Sequence, residues 1–283
     1  MMNYPYNINI HIAEGTPEGL KVIEKSGIWS GRGIVFSRSG YTSVKNRNEI
    51  NMPGVYILLG VESEDIPLIY IGEGDPVGPR IESHHKNKDF WTWCVFFTST
   101  SNSLNKAHIQ YLESMLIKTA KEAKRVHMDN SNTPDLPNLS EMEKAVVDDF
   151  LRHMMDIFPI LGISAFERPP AKERKQEMLY LEGPDAEATG YPSSKGFVVL
   201  KGSKARKNNV ASMRSGMLKT ISSFVESGLF EEKSDSYILT QDYIFTSPST
   251  AAEVFLARSA NGRIEWKNKQ GKTLKQIQEE STV

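Results

Sequence analysis

The stretch Pro53-Gly54-Val55-Tyr56-Ile57-Leu58-Leu59, followed after a polar turn at Glu62 to Asp65 by Leu68-Ile69-Tyr70-Ile71-Gly72, decides how the first half of this chain folds. Two dense runs of β-branched and aromatic residues joined by a short polar link read as an antiparallel hairpin. Gly72 and Gly74 end the second strand. Pro79 suits the first turn of a helix, where a missing N–H costs nothing, and that helix carries Arg80 and His84. Phe90 to Thr98 is aromatic and apolar through its centre, so it reads as a strand buried on both faces. Leu104 to Ala123 has helical spacing, with Ile109, Leu116, Ile117 and Ala120 on one stripe. The order is strand, strand, helix, strand, helix.

Upstream, Asn7 to Ala13 alternates like a strand, Thr16-Pro17-Glu18 opens a short helix from Gly19 to Lys25, and Gly33 to Phe36 is a second strand. Downstream, Asn130 to Pro137 is a loop. Ser140 and Glu143 form a capping box for a helix running to about Phe158. The charged run Lys172 to Glu177 after Pro169 reads as a linker or an exposed helix. Phe197 to Leu200, Tyr237 to Thr240 and Tyr243 to Phe245 are further strands. Ser212 to Ser227 and Ser247 to Ala257 are helices, and Asn261-Gly262 is a hairpin turn. The expected fold class is α+β. A strand, strand, helix, strand, helix unit (53–135) follows a β-rich N-terminal lead-in (1–52). A helical segment and linker (136–187) then precede a separate mixed α/β C-terminal domain (188–277).

Composition narrows the function classes. The chain has 283 residues, 39% hydrophobic and 24% charged, with a net charge of −1, so it carries no global basic field for nucleic acid. Its one cysteine, Cys94, excludes an internal disulfide and a thiolate zinc cluster, and sits in an apolar run as a small hydrophobe. The first residues lack the basic start and apolar core of a signal peptide. No apolar run approaches the ~20 residues of a membrane span. These features lead us to expect a cytoplasmic protein with no membrane partner.

Candidate site residues stand out less singly than together. Glu113 lies on the apolar stripe of its helix, where a carboxylate needs a cation, a metal or an opening to water. By itself it reads as an edge residue paired with a lysine. Arg80 and His84 are four apart on one helix face; Arg suits a phosphate oxygen, and His can donate or move a proton. By themselves they read as a solvated face with Glu82 and Lys86. Tyr56 and Tyr70, in adjoining strands, read singly as packing residues.

Gly54-Val55-Tyr56, then Tyr70-Ile71-Gly72, then Arg80 and His84, then Leu112-Glu113 on a helix: in this order and spacing the segment 53–135 resembles the GIY-YIG nuclease family, departing only in Val55 for the usual Ile. The resemblance implies a small three-stranded antiparallel sheet flanked by helices over 53–135, and a metal-dependent endonuclease with Tyr56, Tyr70, Arg80, His84 and Glu113 at its active site. Glu113 would hold Mg²⁺ or Mn²⁺, Arg80 would balance charge on the phosphate, and Tyr56 would help deprotonate the attacking water. Tyr70 and His84 would orient the water or shuttle its proton. A phenol near its ordinary pKa of ~10 is a poor base, so this role requires nearby cations to lower Tyr56. The family's late Asn matches Asn130 or Asn132.

From Ala188 to Val225 there is no Asp or Glu, while Lys195, Lys201, Lys204, Arg206, Lys207, Arg214 and Lys219 fall in the same window. Such a cluster can track a phosphate backbone, with Trp266 and Tyr243 as candidates for stacking on bases; the alternative is a solvated basic face with Trp266 in the core. Lys195 to Ser203, Phe245 to Ala252 and Asn261 to Lys267 resemble a poorly characterised domain found at the C-termini of such nucleases and of other bacterial nuclease-associated chains, implying a prokaryotic origin. The expected partner is therefore DNA. The alternatives are a non-catalytic nucleic-acid-binding protein and a protein-interaction protein that keeps the nuclease fold.

Overall fold

The computed structural model describes residues 5–27, 29–63, 66–169, 177–208 and 215–280. It divides into two compact units, Met1–Glu167 and Arg168–Val283. The elements of the first unit are β1 (Ile8–Ile12), β2 (Lys21–Lys25), β3 (Gly31–Ser37), α1 (Tyr41–Val44), β4 (Gly54–Ser63), β5 (Ile66–Gly74), α2 (Gly78–Asn87), β6 (Trp91–Ser99), α3 (Lys106–Ala123), β7 (His127–Met128) and α4 (Glu141–Ile157).

The expected hairpin is present: β4 pairs antiparallel with β5, Tyr56 opposite Gly72 and Leu58 opposite Tyr70. β4 pairs on its other side with β6. The expected three-stranded sheet is corrected, however, to a seven-stranded one in the order β1-β2-β3-β6-β4-β5-β7. The lead-in is not a separate element. β3 pairs with β6 along its whole length, Gly31 opposite Ser99 through Ser37 opposite Trp93. The reason is chemical: β6 is so apolar that an unpaired edge there would be an aggregation site. The compact unit likewise includes the helix α4, so the boundaries expected near residues 52 and 135 do not divide it.

Residues 21–25, expected as the end of a helix, are instead the strand β2, paired to β1 and β3. Thr16-Pro17 is a good helix start, but the alternation that buries Ile23 and Lys25 suits a strand with partners on both sides. α4 has the expected capping box, Ser140 accepting from the Glu143 N–H. α3 has one the sequence reading missed, with Asn105 as cap and His108 reaching back.

Alternation along the strands splits the sheet into two apolar faces. Val55, Ile57, Ile69, Ile71, Val95 and Phe97 form one core with residues of α3 and α4. Tyr56, Leu58, Ile34, Phe36, Cys94 and Phe96 form the other, with Val77 and Ile81 at α2. Each such side chain contributes about 1.5–3 kcal/mol on full burial. Cys94 is a buried small hydrophobe as expected, and burial pushes its thiol up.

The second unit contains β8 (Leu179–Gly183), β9 (Ala186–Ser193), β10 (Gly196–Val199), β11 (Lys204–Arg206), α5 (Ser215–Glu226), β12 (Phe230–Glu232), β13 (Ser236–Leu239), β14 (Tyr243–Phe245), α6 (Pro248–Leu256), α7 (Gly262–Glu265) and α8 (Leu274–Glu280). Its sheet runs β12-β13-β11-β9-β10-β14, with β8 also on β9. Asn261-Gly262 is not a hairpin turn. Asn261 caps the one-turn helix α7 by accepting from the Arg263 N–H. Gly262 is needed because a Cβ there would lie 2.2 Å from the Pro248 carbonyl. The charged run 172–177, expected as linker or helix, falls almost wholly outside the described residues.

Candidate active site

β4 and β5 place Tyr56 and Tyr70 on one face of the sheet because residues of like parity share a face. Their rings lie 6.2 Å apart. Gly72, paired with Tyr56, makes room for it: a Cβ at Gly72 would stand 2.4 Å from the Tyr56 hydroxyl. α2 crosses the same face, buries Ile81 and delivers Arg80 and His84. The His84 Nε2 lies 2.8 Å from the Tyr56 hydroxyl, and its ring is 4.7 Å from Tyr70. Arg80 is held above its ordinary pKa, chiefly by Tyr56 and further by Tyr70 and Glu73, against the opposing effect of burial.

The far end of α2 is held by a residue of the lead-in. Arg38 donates to the backbone carbonyls of Lys88 and His85, and its guanidinium lies 5.2 Å over the Trp91 ring. α2 is thus fixed from outside the segment 53–135.

Glu113 is buried on α3. Burial first, and the neighbouring Glu73 second, raise its carboxyl to about 7, against the pull of Arg80 and Lys106. Glu73 was not foreseen, though the same logic that singled out Glu113 applies to it: Ile69, Ile71 and Glu73 share one face of β5. One Glu73 oxygen pairs with Lys106. The other is buried without a hydrogen-bond partner. Among the described residues no group of three or more His, Cys, Asp or Glu could hold a metal. The donors at this place are two carboxylates, which suits a hard cation that keeps most of its water, such as Mg²⁺ or Mn²⁺, and does not suit structural zinc.

The protonation states differ from the expected ones in one respect. Tyr56 is fully buried, and burial drives its phenol well above 10; the nearby Tyr70 adds to this and Arg80 only partly offsets it. The lowered phenol that a lone tyrosine base requires is absent. His84 moves the other way, to about 4, through burial and the charges of Lys88 and Arg80. At neutral pH a protonated phenol therefore faces a neutral imidazole, and with Nδ1 protonated, Nε2 accepts from the phenol.

Asn130 and Asn132 now separate. Asn130 accepts from the Ile71 N–H at 2.9 Å and donates to the Ile71 carbonyl at 2.7 Å, pinning β5 between Tyr70 and Gly72. Asn132 is exposed in the following loop. Asn130→Ala is expected to cost about 2 kcal/mol, since two half-buried backbone groups lose their partner, and to impair any activity that needs Tyr70. A thermal melt checks the first part. An Asn130→Ala protein as stable as the wild type would remove its positioning role.

The basic window of the second unit does not form one surface. Lys207 pairs with Glu232 at 2.6 Å and Lys204 lies opposite Glu187 in the sheet; Asp242 accepts only from the backbone N–H of Lys201. Arg206 is partly buried, its Nε without a hydrogen-bond partner. Lys195 is exposed in the β9–β10 turn, and Arg214 lies outside the described residues. The acid-free window is a one-dimensional feature that neighbouring strands supply with carboxylates. Trp266 and Tyr243 are not base-stacking surfaces: both are buried in the core of this unit.

Residues 179–278 match a family model described as a domain of unknown function (DUF4357). That segment lies in the second unit; no family model matches residues 53–135, whose resemblance to the nuclease family rests on sequence motifs alone. No curated protein and no solved structure matches the chain. Among the described residues no helix is long and apolar enough to cross a membrane.

Proposed function

We propose that the first unit is a divalent-metal-dependent endonuclease that hydrolyses DNA phosphodiester bonds, acting in the cytoplasm of a prokaryote. The observation that carries this reading is the grouping of Tyr56, Tyr70, His84 and Arg80, with Arg80 also in electrostatic contact with the Glu73–Glu113 pair. Tyr56, Tyr70 and His84 lie on one face of the sheet and Glu113 and Glu73 on the α3 side; Arg80 is the group in electrostatic contact with both.

Arg80 offers its planar fork to the non-bridging phosphate oxygens, where charge grows in the transition state. Tyr56 is a positioning group rather than a store of negative charge: buried, it donates to His84 Nε2 and fixes the imidazole beside Arg80. Tyr70, its ring tilted 58° to that of His84 at 4.7 Å, packs beside this pair. A Mg²⁺ or Mn²⁺ ion held by Glu113, with Glu73 beside it, would supply Lewis-acid stabilisation of the phosphate and the departing oxygen. A part for the second unit in binding DNA has the weaker support of Lys204 and Arg206, which share a sheet face.

The test is cleavage of plasmid and linear DNA with Mg²⁺, with Mn²⁺ and with chelator. Metal-dependent cutting that drops about 10²–10³-fold in Arg80→Ala supports the proposal. An Arg80→Ala protein that cuts as well as the wild type would overturn it. The second reading, a binding unit that no longer cuts, is favoured by the raised Tyr56 phenol and predicts salt-sensitive DNA binding without strand scission.

A further inference from the structure

Beyond Arg80, a second cation borders the tyrosine pair. Lys88 follows α2 directly, four residues after His84 and eight after Arg80. Its Nζ lies 4.8 Å over the Tyr70 ring and is paired with the Asp129 carboxylate. Of the charges that act on His84, that of Lys88 ranks first, ahead of Arg80. The backbone at Lys88 is fixed on both sides: its N–H donates to the His84 carbonyl, and its own carbonyl accepts from Arg38. Asp129 is fixed as well, its N–H donating to the Ile69 carbonyl beside the β5–β7 pairing, next to Asn130, which pins Ile71.

The Lys88–Asp129 pair is open to solvent, with side-chain exposures of 27% and 33%. A surface pair of this kind contributes little, so an incoming anion can take the place of Asp129 at little cost. The cation then stands where it can serve a ligand, on the Tyr70 side of the site and opposite the carboxylates. At 1.5 Å per residue, Arg80 and Lys88 are about 12 Å apart along the helix. One strand of a duplex presents a phosphate about every 3.4 Å along its axis, so the two cations span a few nucleotides.

We infer that Lys88 is a second phosphate-binding position of the site, holding a DNA backbone phosphate a few nucleotides from the one at Arg80, and that Asp129 is the carboxylate this phosphate displaces. The inference rests on the reading of this unit as one that engages DNA. Lys88 would set the register of the strand across Tyr56 and Tyr70 without touching the reacting atoms, which makes it a positioning residue. Its chemistry discriminates neither base nor sequence.

The test is the salt dependence of binding to a short labelled DNA duplex in chelator, followed by cleavage with Mg²⁺. Lys88→Gln is expected to lower the slope of log affinity against log salt by about one and to weaken binding about threefold to fivefold at moderate salt. In cleavage it should raise KM more than it lowers kcat, and Lys88→Arg should restore the slope. Asp129→Asn should tighten binding. A misfolded protein cannot bind more tightly, so this variant carries the test should Lys88→Gln fail to fold. An unchanged slope in Lys88→Gln, or weaker binding in Asp129→Asn, overturns the inference and leaves the nuclease reading intact. The expected binding pattern without cleavage supports Lys88 and removes the nuclease reading. A wild-type protein with no salt-dependent DNA binding overturns both.

Discussion

Glu113→Gln is expected to abolish metal-dependent cutting and, at the same time, to make the first unit more stable above neutral pH. The loss of activity follows from removing the charged donor of the ion, whose charge stabilisation is worth several kcal/mol; about 4 kcal/mol is a factor of about 10³ in rate. The gain in stability follows from where the carboxylate sits. It is buried beside a second carboxylate, and its folded pKa is about 7 against an ordinary 4.5. Below the ordinary range both folded and unfolded chains hold the proton, and the group costs nothing. Between 4.5 and about 7 the unfolded chain loses its proton while the folded one keeps it, so stability falls as pH rises. Above about 7 the penalty is complete, about 3 kcal/mol. Glu113→Gln lacks this penalty. In metal-free buffer it should melt several degrees above the wild type near pH ~8 and level with it near pH ~4. Equal melting at both values would show that Glu113 is not the strained carboxylate described here. Retained cutting would remove the metal from it.

Trp266→Ala is the second large effect, and it falls on stability alone. The indole is fully buried, its centroid lies 4.6 Å from Phe197, and its N–H donates to the Pro248 carbonyl at 2.9 Å. Truncation leaves a large cavity and an unpaired carbonyl, a cost of about 3–5 kcal/mol in a unit whose total stability is of the order of 5–15 kcal/mol. Hydrogen exchange on the full chain should show protection lost across residues 179–278 and kept across 5–167. Trp266→Phe should recover part of the loss. A Trp266→Ala protein with unaltered protection but weaker DNA binding would instead restore the indole as a base-stacking surface.

These two residues also show what could be read from the chain. Glu113 was legible because a carboxylate on an apolar stripe violates the pattern around it, and the contacts of Tyr56, Tyr70, Arg80 and His84 were legible only as an ordered set. Trp266 stays ambiguous in the sequence because an aromatic beside lysines looks the same whether it faces solvent or the core; only tertiary packing with Phe197 and Pro248 distinguishes the two. The hairpin, α3 and the capped helix α4 were legible from periodicity and end signals. The join between β3 and β6 was not, since strand pairing across sixty residues leaves no local mark. The basic window misled for a similar reason: Glu187 stands one residue before it and Glu232 beyond its end, and pairing of the strands brings them to Lys204 and Lys207.

The hold of Arg38 on the end of α2 has a consequence for inheritance. A gene fragment beginning at residue 53 would carry every motif of the site yet leave behind the guanidinium that anchors its helix and the strand that closes β6. Recombination therefore has no seam at that point, however sharp the motif boundary looks, and has one only between the two units. Shuffling can give the first unit a new companion. It cannot hand the tyrosines and their helix to another scaffold without the lead-in.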